Sequence, residues 1–464
     1  MKKLLKTVSF GCIGAVVLVL IAATLLESLH GSSFAIDNIY HSSWFIALWA
    51  LLAITGMIYI LYTSRRATLV MLHASFVVIL LGALVSFMTS KNGHIAIAHE
   101  GAPASMFTTR DGALEKLPFR LQLTALETQY RQNSETPADY VATIIAGDRK
   151  EQSAHTVSLN RPLKFKDYRF CINGVSDGNL SLTVSYDRYG RPISYAGYLM
   201  VFLSFMLLFF DRQSGFRATL LQLRGERKVK EEKGSRFSME VTGTTGVLLC
   251  ATALIGMLWY RRGVFPATSG AETLLLLAVV IAVISISLRS NNRFINLRRV
   301  LFIVACACIA MATFGLDGNS DVQPILRTPL LGIHVTTIII AYALLACTAV
   351  NAIIALCTKE AGRRAQQALL GRVLLYPATM LLATGIFIGA VWADISWGRY
   401  WGWDPKEVWA LVTLLVCSAA FHTRSLRFMA KPVAFHLFCI VAFVAVLFTY
   451  FGVNYLLGGL HSYI

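Results

Sequence analysis

Charge is scarce in this 464-residue chain: Asp, Glu, Lys and Arg together make up 14% of it. A soluble globular domain carries about 25%, so an ordinary cytosolic enzyme is excluded. CxxC pairs are missing, and with them a thioredoxin-like redox site or a zinc knuckle. Eight of the nine cysteines (Cys12, Cys250, Cys306, Cys308, Cys347, Cys357, Cys417 and Cys439) fall inside apolar runs. Only Cys171 lies in a long polar region, so no disulfide framework is indicated. HExxH spacing is absent, and no carboxylate pair lies near the tryptophan-rich segment described below, which argues against an ordinary catalytic metal site. Internal repeats and low-complexity tracts are absent as well.

What the chain has in abundance is apolar residues, 56% of the total. Runs near the ~20 residues that a bilayer crossing requires fall at about 8–26, 43–62, 68–88, 193–210, 240–259, 271–288, 299–315, 333–357, 374–392, 407–423 and 432–452. They predict a polytopic α-helical membrane protein with about eleven transmembrane helices. Lys2, Lys3 and Lys6 precede the first run, but its length and the lack of a small-residue cleavage site make it a spanning helix rather than a signal peptide.

Lysine and arginine set the expected orientation. The N-terminus, Arg65–Arg66, the stretch 211–237, Arg289–Arg299, Lys359–Arg372 and Arg424–Lys431 are basic, and they alternate with loops such as 27–42 that carry no Lys or Arg. This places the N-terminus in the cytoplasm and the C-terminus outside. Residues 89–192 form one polar region on the outside, with alternating segments such as Phe119–Leu123 and Leu180–Tyr186 that predict strands. A small, mostly antiparallel external β domain is the expectation. That region holds 13 basic and 11 acidic residues, so most of the net charge of +17 belongs to cytoplasmic loops. Nucleic-acid binding is not needed to explain it. The expected organisation is a first membrane module over 1–210, a basic cytoplasmic linker over 211–237 and a second membrane module over 238–464.

Tryptophan is unevenly spread: five of eight (Trp392, Trp397, Trp401, Trp403 and Trp409) lie within 18 residues, in WADISWGRYWGWDPKEVWAL. An interfacial aromatic belt explains one or two per helix end. The functional reading is a flat aromatic platform for a large planar ligand, with Arg399 and Lys406 meeting carboxylates at its edge. Histidine gives a second pattern. His73 in the third span and His422 near the end of the tenth fall at similar depth toward the cytoplasmic side, where a polar residue is a functional candidate. They read either as two ligands of one metal or as two unrelated interfacial residues. His334 and His461 lie on the outer side, level with the tryptophan segment. A planar, apolar ligand with an anionic edge and two imidazole ligands is haem. His30, His41, His94, His99 and His155 read as loop residues, His436 as a packed one that rivals the inner pair, and Glu272 as a carboxylate snorkelling to the interface.

At this point the residues resemble a known family. Trp397–Glu407 (WGRYWGWDPKE) resembles the WWD signature of haem-handling proteins in cytochrome c maturation. FPATSGAETLLLL (Phe265–Leu277), LLGIHV (Leu330–Val335), FHTR (Phe421–Arg424) and FGVNYLLGGLHSY (Phe451–Tyr463) are similar to landmarks of the CcsA (ResC) branch of System II. YHSSWFIALWALL (Tyr40–Leu52), LHASFVVILLG (Leu72–Gly82), PADYVA (Pro137–Ala142), SLNRPLKFKDYRF (Ser158–Phe170) and YGRPISYAGY (Tyr189–Tyr198) are similar to its CcsB (ResB) partner. The resemblance covers most of the chain, and it is that of a compact fused CcsB–CcsA cytochrome c synthase of a bacterial cytoplasmic membrane. It implies haem b as substrate, an inner haem site held by His73 and His422, and an outer site held by His334 and His461. Trp397, Trp401, Trp403 and Asp404 would hold the haem between the outer pair. It also implies attachment to the CxxCH segment of an apocytochrome c, with thiol-reducing thioredoxin-like proteins and membrane lipid as further partners. The chain departs from the family in its short external domain, in Asp394 where Asn is expected, and in Leu414 where a further Trp often stands. A bis-histidine b-type cytochrome that passes electrons across the membrane, or a haem exporter without attachment activity, are the competing readings.

Overall fold

The structure is a computed structural model and describes residues 1–99, 101–130, 137–148, 151–176, 178–228, 239–289, 291–315 and 324–457. Helices α1 (Lys2–His30), α2 (Ser32–Ala35), α3 (Ser43–Thr63) and α4 (Ala67–Thr89) open the chain, and a π-helical turn, Ile36–Tyr40, links α2 to α3. Eight strands follow: β1 (Lys91–Ala98), β2 (Ala104–Thr109), β3 (Leu114–Tyr130), β4 (Pro137–Gly147), β5 (Gln152–Ser158), β6 (Leu163–Phe165), β7 (Tyr168–Ser176) and β8 (Asn179–Tyr186). The rest is helical: α5 (Gly190–Phe210), α6 (Gly215–Lys228), α7 (Met239–Arg262), α8 (Gly270–Ser287), α9 (Ile295–Gly315), α10 (Pro329–Cys357), α11 (Ala361–Trp397), α12 (Pro405–Ala419) and α13 (Pro432–Leu447), with a π-helical segment at Phe448–Leu457.

Ten helices among the described residues are long and apolar enough to cross a membrane. The expected eleventh, α12, has 15 residues. At 1.5 Å per residue it is about 22 Å long, short of the ~30 Å hydrocarbon core. Most of the basic stretch Lys359–Arg372, expected as a loop, is helical: from Ala361 on it forms the first three turns of the 37-residue α11. Arg364 explains part of this: its guanidinium donates to the carbonyls of Thr358 and Ala355 left over at the end of α10. Within 211–237, read as a plain linker, residues Gly215–Lys228 form α6, whose Phe216 ring packs edge-on against Tyr376 of α11 at 5.7 Å.

The strands make one antiparallel sheet in the order β5-β4-β3-β2-β1-β8-β7-β6. Its ends, β5 on one side and β6 and β7 on the other, come together, so the sheet curls barrel-like around Ile97, Phe107, Phe119, Leu121, Ile144, Phe170 and Leu182. Alternation in the sequence dictates this: β1 runs exposed-buried at every second residue, as a half-buried strand must. The sheet stands on α4 and α5, which enter and leave it.

Packing between the first and second halves of the chain is extensive. α1 lies against α12, α5 and β7 against α11, and α6 against α11. Trp409 of α12 is buried in a cluster with Val16, Leu20 and Ala23 of α1, and its Nε1 donates to Thr24 Oγ1 at 3.1 Å. A chain expressed as two polypeptides, 1–232 and 233–464, is therefore expected to co-purify as one complex in mild detergent. Separation of the two on a sizing column would show that the linker, not the packing, joins them.

Candidate functional site

On the side of the bundle that carries the β domain, α11 ends at Trp397 because Gly398 takes the left-handed conformation (φ 82°) open to glycine without cost. The chain then folds back, and α12 begins at a capping box. Asp404 accepts from the Lys406 amide, while Glu407 Oε2 accepts from the amides of Gly402 (2.8 Å) and Asp404 (3.3 Å). Asp404, expected among the residues that hold the ligand, is thus spent on the helix start and is buried. Between these anchors Trp403 has φ 58°, a conformation costing a bulky residue on the order of 1 kcal/mol.

The tryptophans do not make one flat floor. Trp392 is 2% exposed and packs with Leu326, Leu331 and Ala393, meeting Trp397 at 4.8 Å and 70°. Trp401 and Trp403 meet at 5.9 Å and 89°. Tight helix packing takes Trp392 and Trp409 into the core and leaves Trp397 at the end of α11 and Trp401 and Trp403 in the segment between helices. Arg399 is exposed and makes no ion pair among the described residues, whereas Lys406 Nζ donates to Asn454 Oδ1 at 2.8 Å. Trp401 packs against the buried cluster of Tyr198, Ala390 and Tyr400.

Beneath the segment lies Asp394, fully buried and ringed by donors from the first half of the chain. Arg169 of β7 reaches its Oδ2 at 2.5 Å and its backbone carbonyl at 2.8 Å, Arg191 Nε reaches Oδ1 at 3.1 Å, and the Tyr195 hydroxyl reaches Oδ2. A second chain runs beside it: Ser194 donates to the Tyr400 hydroxyl (3.1 Å), which bonds Ser86 (2.8 Å), which donates to Asp187 (2.5 Å). Ser396 Oγ donates to Asn160 at 3.2 Å, and the Cys171 thiol contacts the Ile395 carbonyl at 3.6 Å. These links clamp the β domain onto the end of α11. Asp394 stood out in the sequence as a departure, and Arg169, Arg191, Tyr195 and Tyr400 were not singled out. The signal was there: an acidic residue in an apolar run needs a cation, and two arginines flank the β domain's return to the membrane.

His334, near the start of α10, lies against α11 at Gly385 and Gly389. A side chain at Gly389 would strike its ring at 2.6 Å, and its Nδ1 bonds the Gly385 carbonyl at 2.7 Å. By helical rise this is about 12 Å below Trp397, deeper than the level expected. His461 lies outside the described residues.

At the opposite end of the bundle the structure brings His73 and His422 together. Their rings are 6.2 Å apart at 87°, with Phe10 of α1 edge-on to His422 at 5.4 Å. Each Nδ1 bonds a carbonyl one turn back, Leu69 for His73 (2.8 Å) and Ser418 for His422 (2.9 Å). A carbonyl only accepts, so Nδ1 carries the proton and the Nε2 lone pair is left for a ligand. Metal–imidazole bonds of about 2 Å put two such rings roughly 6 Å apart across one metal, which is the spacing seen. His436 is instead tied to the Arg364 carbonyl at 3.1 Å and buried beside Phe435. Glu272 does not snorkel: it is 1% exposed, paired with Arg262, and accepts from Thr268 and the Ser269 amide.

The fold and site define a polytopic membrane protein with a small β domain locked onto one end of its helical bundle, and two family models match it. The ResB-like family covers residues 62–252, and the family described as Cytochrome C assembly protein covers residues 268–461. The cytochrome c biogenesis protein CcsA of Microcystis aeruginosa is 30% identical over 287 residues, spanning 48% of this chain and 87% of the relative. CcsA of Chlamydomonas reinhardtii is 33% identical over 240 residues, 48% of this chain and 66% of the relative. Protein NrfI of Wolinella succinogenes is 45% identical over 94 residues, 20% of this chain but 10% of that protein. The chain belongs to the CcsA family of cytochrome c biogenesis proteins, as a fused ResB–CcsA protein of System II.

Burial pushes the Cys171 thiol up to about 12. At pH 8 it is protonated and enclosed, so we expect iodoacetamide to spare Cys171 in folded protein and Cys171→Ser to leave cytochrome c assembly intact. Alkylation of Cys171 at pH 8 without unfolding, read by peptide mass spectrometry, would contradict this packing.

Proposed function

We propose that this chain takes haem b from the cytoplasmic side, passes it to the side bearing the β domain and attaches it to the CxxCH segment of an apocytochrome c, acting as a holocytochrome c synthase. The observation that carries the reading is the His73–His422 pair, two imidazoles of the same tautomer at the spacing of axial ligands on one metal. Orientation is supported by Lys2, Lys3, Arg65 and Arg66, which lie on the side away from the β domain. On that basis the N-terminus is cytoplasmic and the tryptophan segment and C-terminus are external; a bacterial cytoplasmic membrane is what the family resemblance implies. The first module is 1–210, the second 238–464.

On the outer side His334, whose Nδ1 bonds the Gly385 carbonyl, is one ligand of the substrate iron by the family resemblance. His461 is its partner by the family resemblance. Trp397, Trp401 and Trp403 supply aromatic walls, with Trp392 supporting Trp397 from behind. Arg399 suits a haem carboxylate, while Lys406 acts by holding Asn454 rather than by reaching the ligand. Asp404 fixes the start of α12. Attachment adds each cysteine S–H across a vinyl group: an S–C bond forms, the proton goes to the terminal vinyl carbon, and no net oxidation occurs. Such an addition calls mainly for orientation, and no side chain is assigned as its acid or base. Thiol-reducing thioredoxin-like proteins would keep the client's cysteines reduced.

Purified from haem-replete cells, the protein is expected to show low-spin, six-coordinate haem. His73→Ala or His422→Ala removes or converts the inner haem to high spin, and His334→Ala abolishes attachment to a CxxCH client while leaving the inner signal. Exogenous imidazole is expected to restore part of the loss. Wild-type spectra and full attachment in all three variants would overturn the reading. Stable redox-cycling haem with no attachment in wild type would favour the electron-transferring cytochrome.

A further inference from the structure

The sequence assigns the outer site to the second half of the chain, but one of its walls comes from the first. Trp403 sits in a left-handed backbone conformation that a tryptophan does not adopt by preference. Its flanking amides are pinned by Glu407 Oε2, which fixes the backbone but not the ring. The ring is fixed by Tyr40, in the π-helical turn between α2 and α3: the two planes are 5° from parallel with centroids 4.4 Å apart. Phe45 of α3 closes a second side at 5.9 Å and 63°. Tyr40 is itself 2% exposed, so it has no freedom to move away.

The Tyr40 hydroxyl, moreover, has no hydrogen-bond partner among the described residues, although it is buried. What Tyr40 presents to Trp403 is the flat face of its ring, stacked parallel on the indole. Trp403 also meets Trp401 edge-on at 5.9 Å, in the segment that faces the ligand under the function proposed above.

We propose that Tyr40 is a positioning residue of the outer haem site, holding the Trp403 ring at the angle from which it packs on the porphyrin. The inference rests on that functional reading and extends it: the first half of the chain contributes an element of the site beyond the β-domain clamp. It follows that ring character at position 40, rather than its hydroxyl, sets haem binding on the outer side.

The test is a hemin titration of full-length protein in detergent, read by tryptophan quenching and by the low-spin absorption spectrum, for wild type, Tyr40→Phe, Tyr40→Leu and His334→Ala. Tyr40→Phe is expected to match wild type. Tyr40→Leu is expected to weaken outer-site binding roughly fivefold to tenfold, the size of one lost aromatic pair, and to broaden the outer haem's spectrum while the inner haem is unchanged. Should Tyr40→Leu not accumulate as folded protein, Tyr40→Met, similar in volume, takes its place. Wild-type binding and spectra in the leucine or methionine variant, with His334→Ala still defective, overturn the role of Tyr40 and leave the functional reading standing. If His334→Ala also binds hemin as wild type does, the reading itself fails. A Tyr40→Phe variant as defective as Tyr40→Leu would assign the effect to the hydroxyl and also overturn the proposal.

Discussion

One buried carboxylate constrains the arrangement of everything around it. Asp394 lies in the last turn of α11 with no exposure, and a charge placed there without partners would cost several kcal/mol. Arg169 and Arg191 supply the compensation, and both come from the opposite half of the chain: one from β7, the other from the first turn of α5. Those two arginines are equally buried and equally dependent on Asp394. The β domain can therefore neither rotate nor lift from α11 without exposing or orphaning three charges. The tryptophan segment, which starts three residues after Asp394, inherits this fixed position.

From that clamp the rest follows in order. The Ser194–Tyr400–Ser86–Asp187 chain ties the segment to α4 and α5, and the capping box of Asp404 and Glu407 sets where α12 departs. α12 then runs back between α1, α11 and α13 and delivers His422 to His73 at the far end. The two candidate stations are thus linked through a short, rigid helix rather than by flexible loops. Under the proposed function, rigid elements of this kind would keep a reactive substrate in a defined orientation at each station.

Hydropathy made the helices and the β domain legible, since apolar length and two-residue alternation are local properties. The pair His73 and His422 was legible for the same reason: depth in a membrane can be counted from helix ends. The detail of the outer side was not. Five clustered tryptophans read as one platform, yet burial of Trp392 and Trp409 depends on which neighbours pack on α11 and α12, information held elsewhere in the chain. The length of α11 was underread because Arg363, Arg364 and Arg372 look like a loop in hydropathy but are good helix formers whose ends bond to α10 and to the Met429 carbonyl. Asp394 looked like an exception to a pattern. It is the residue through which two modules recognise each other, and only the fold shows its partners.

The central claim, that this buried cluster joins the two halves, is tested most directly by a double-mutant cycle on Asp394→Ala and Arg169→Ala, read by thermal unfolding in detergent. Each single change strands a buried partner, so the pair is predicted to be strongly non-additive, with a coupling energy of about 2 kcal/mol or more. Additivity within about 0.5 kcal/mol would mean that the two residues do not depend on each other, and would contradict the account.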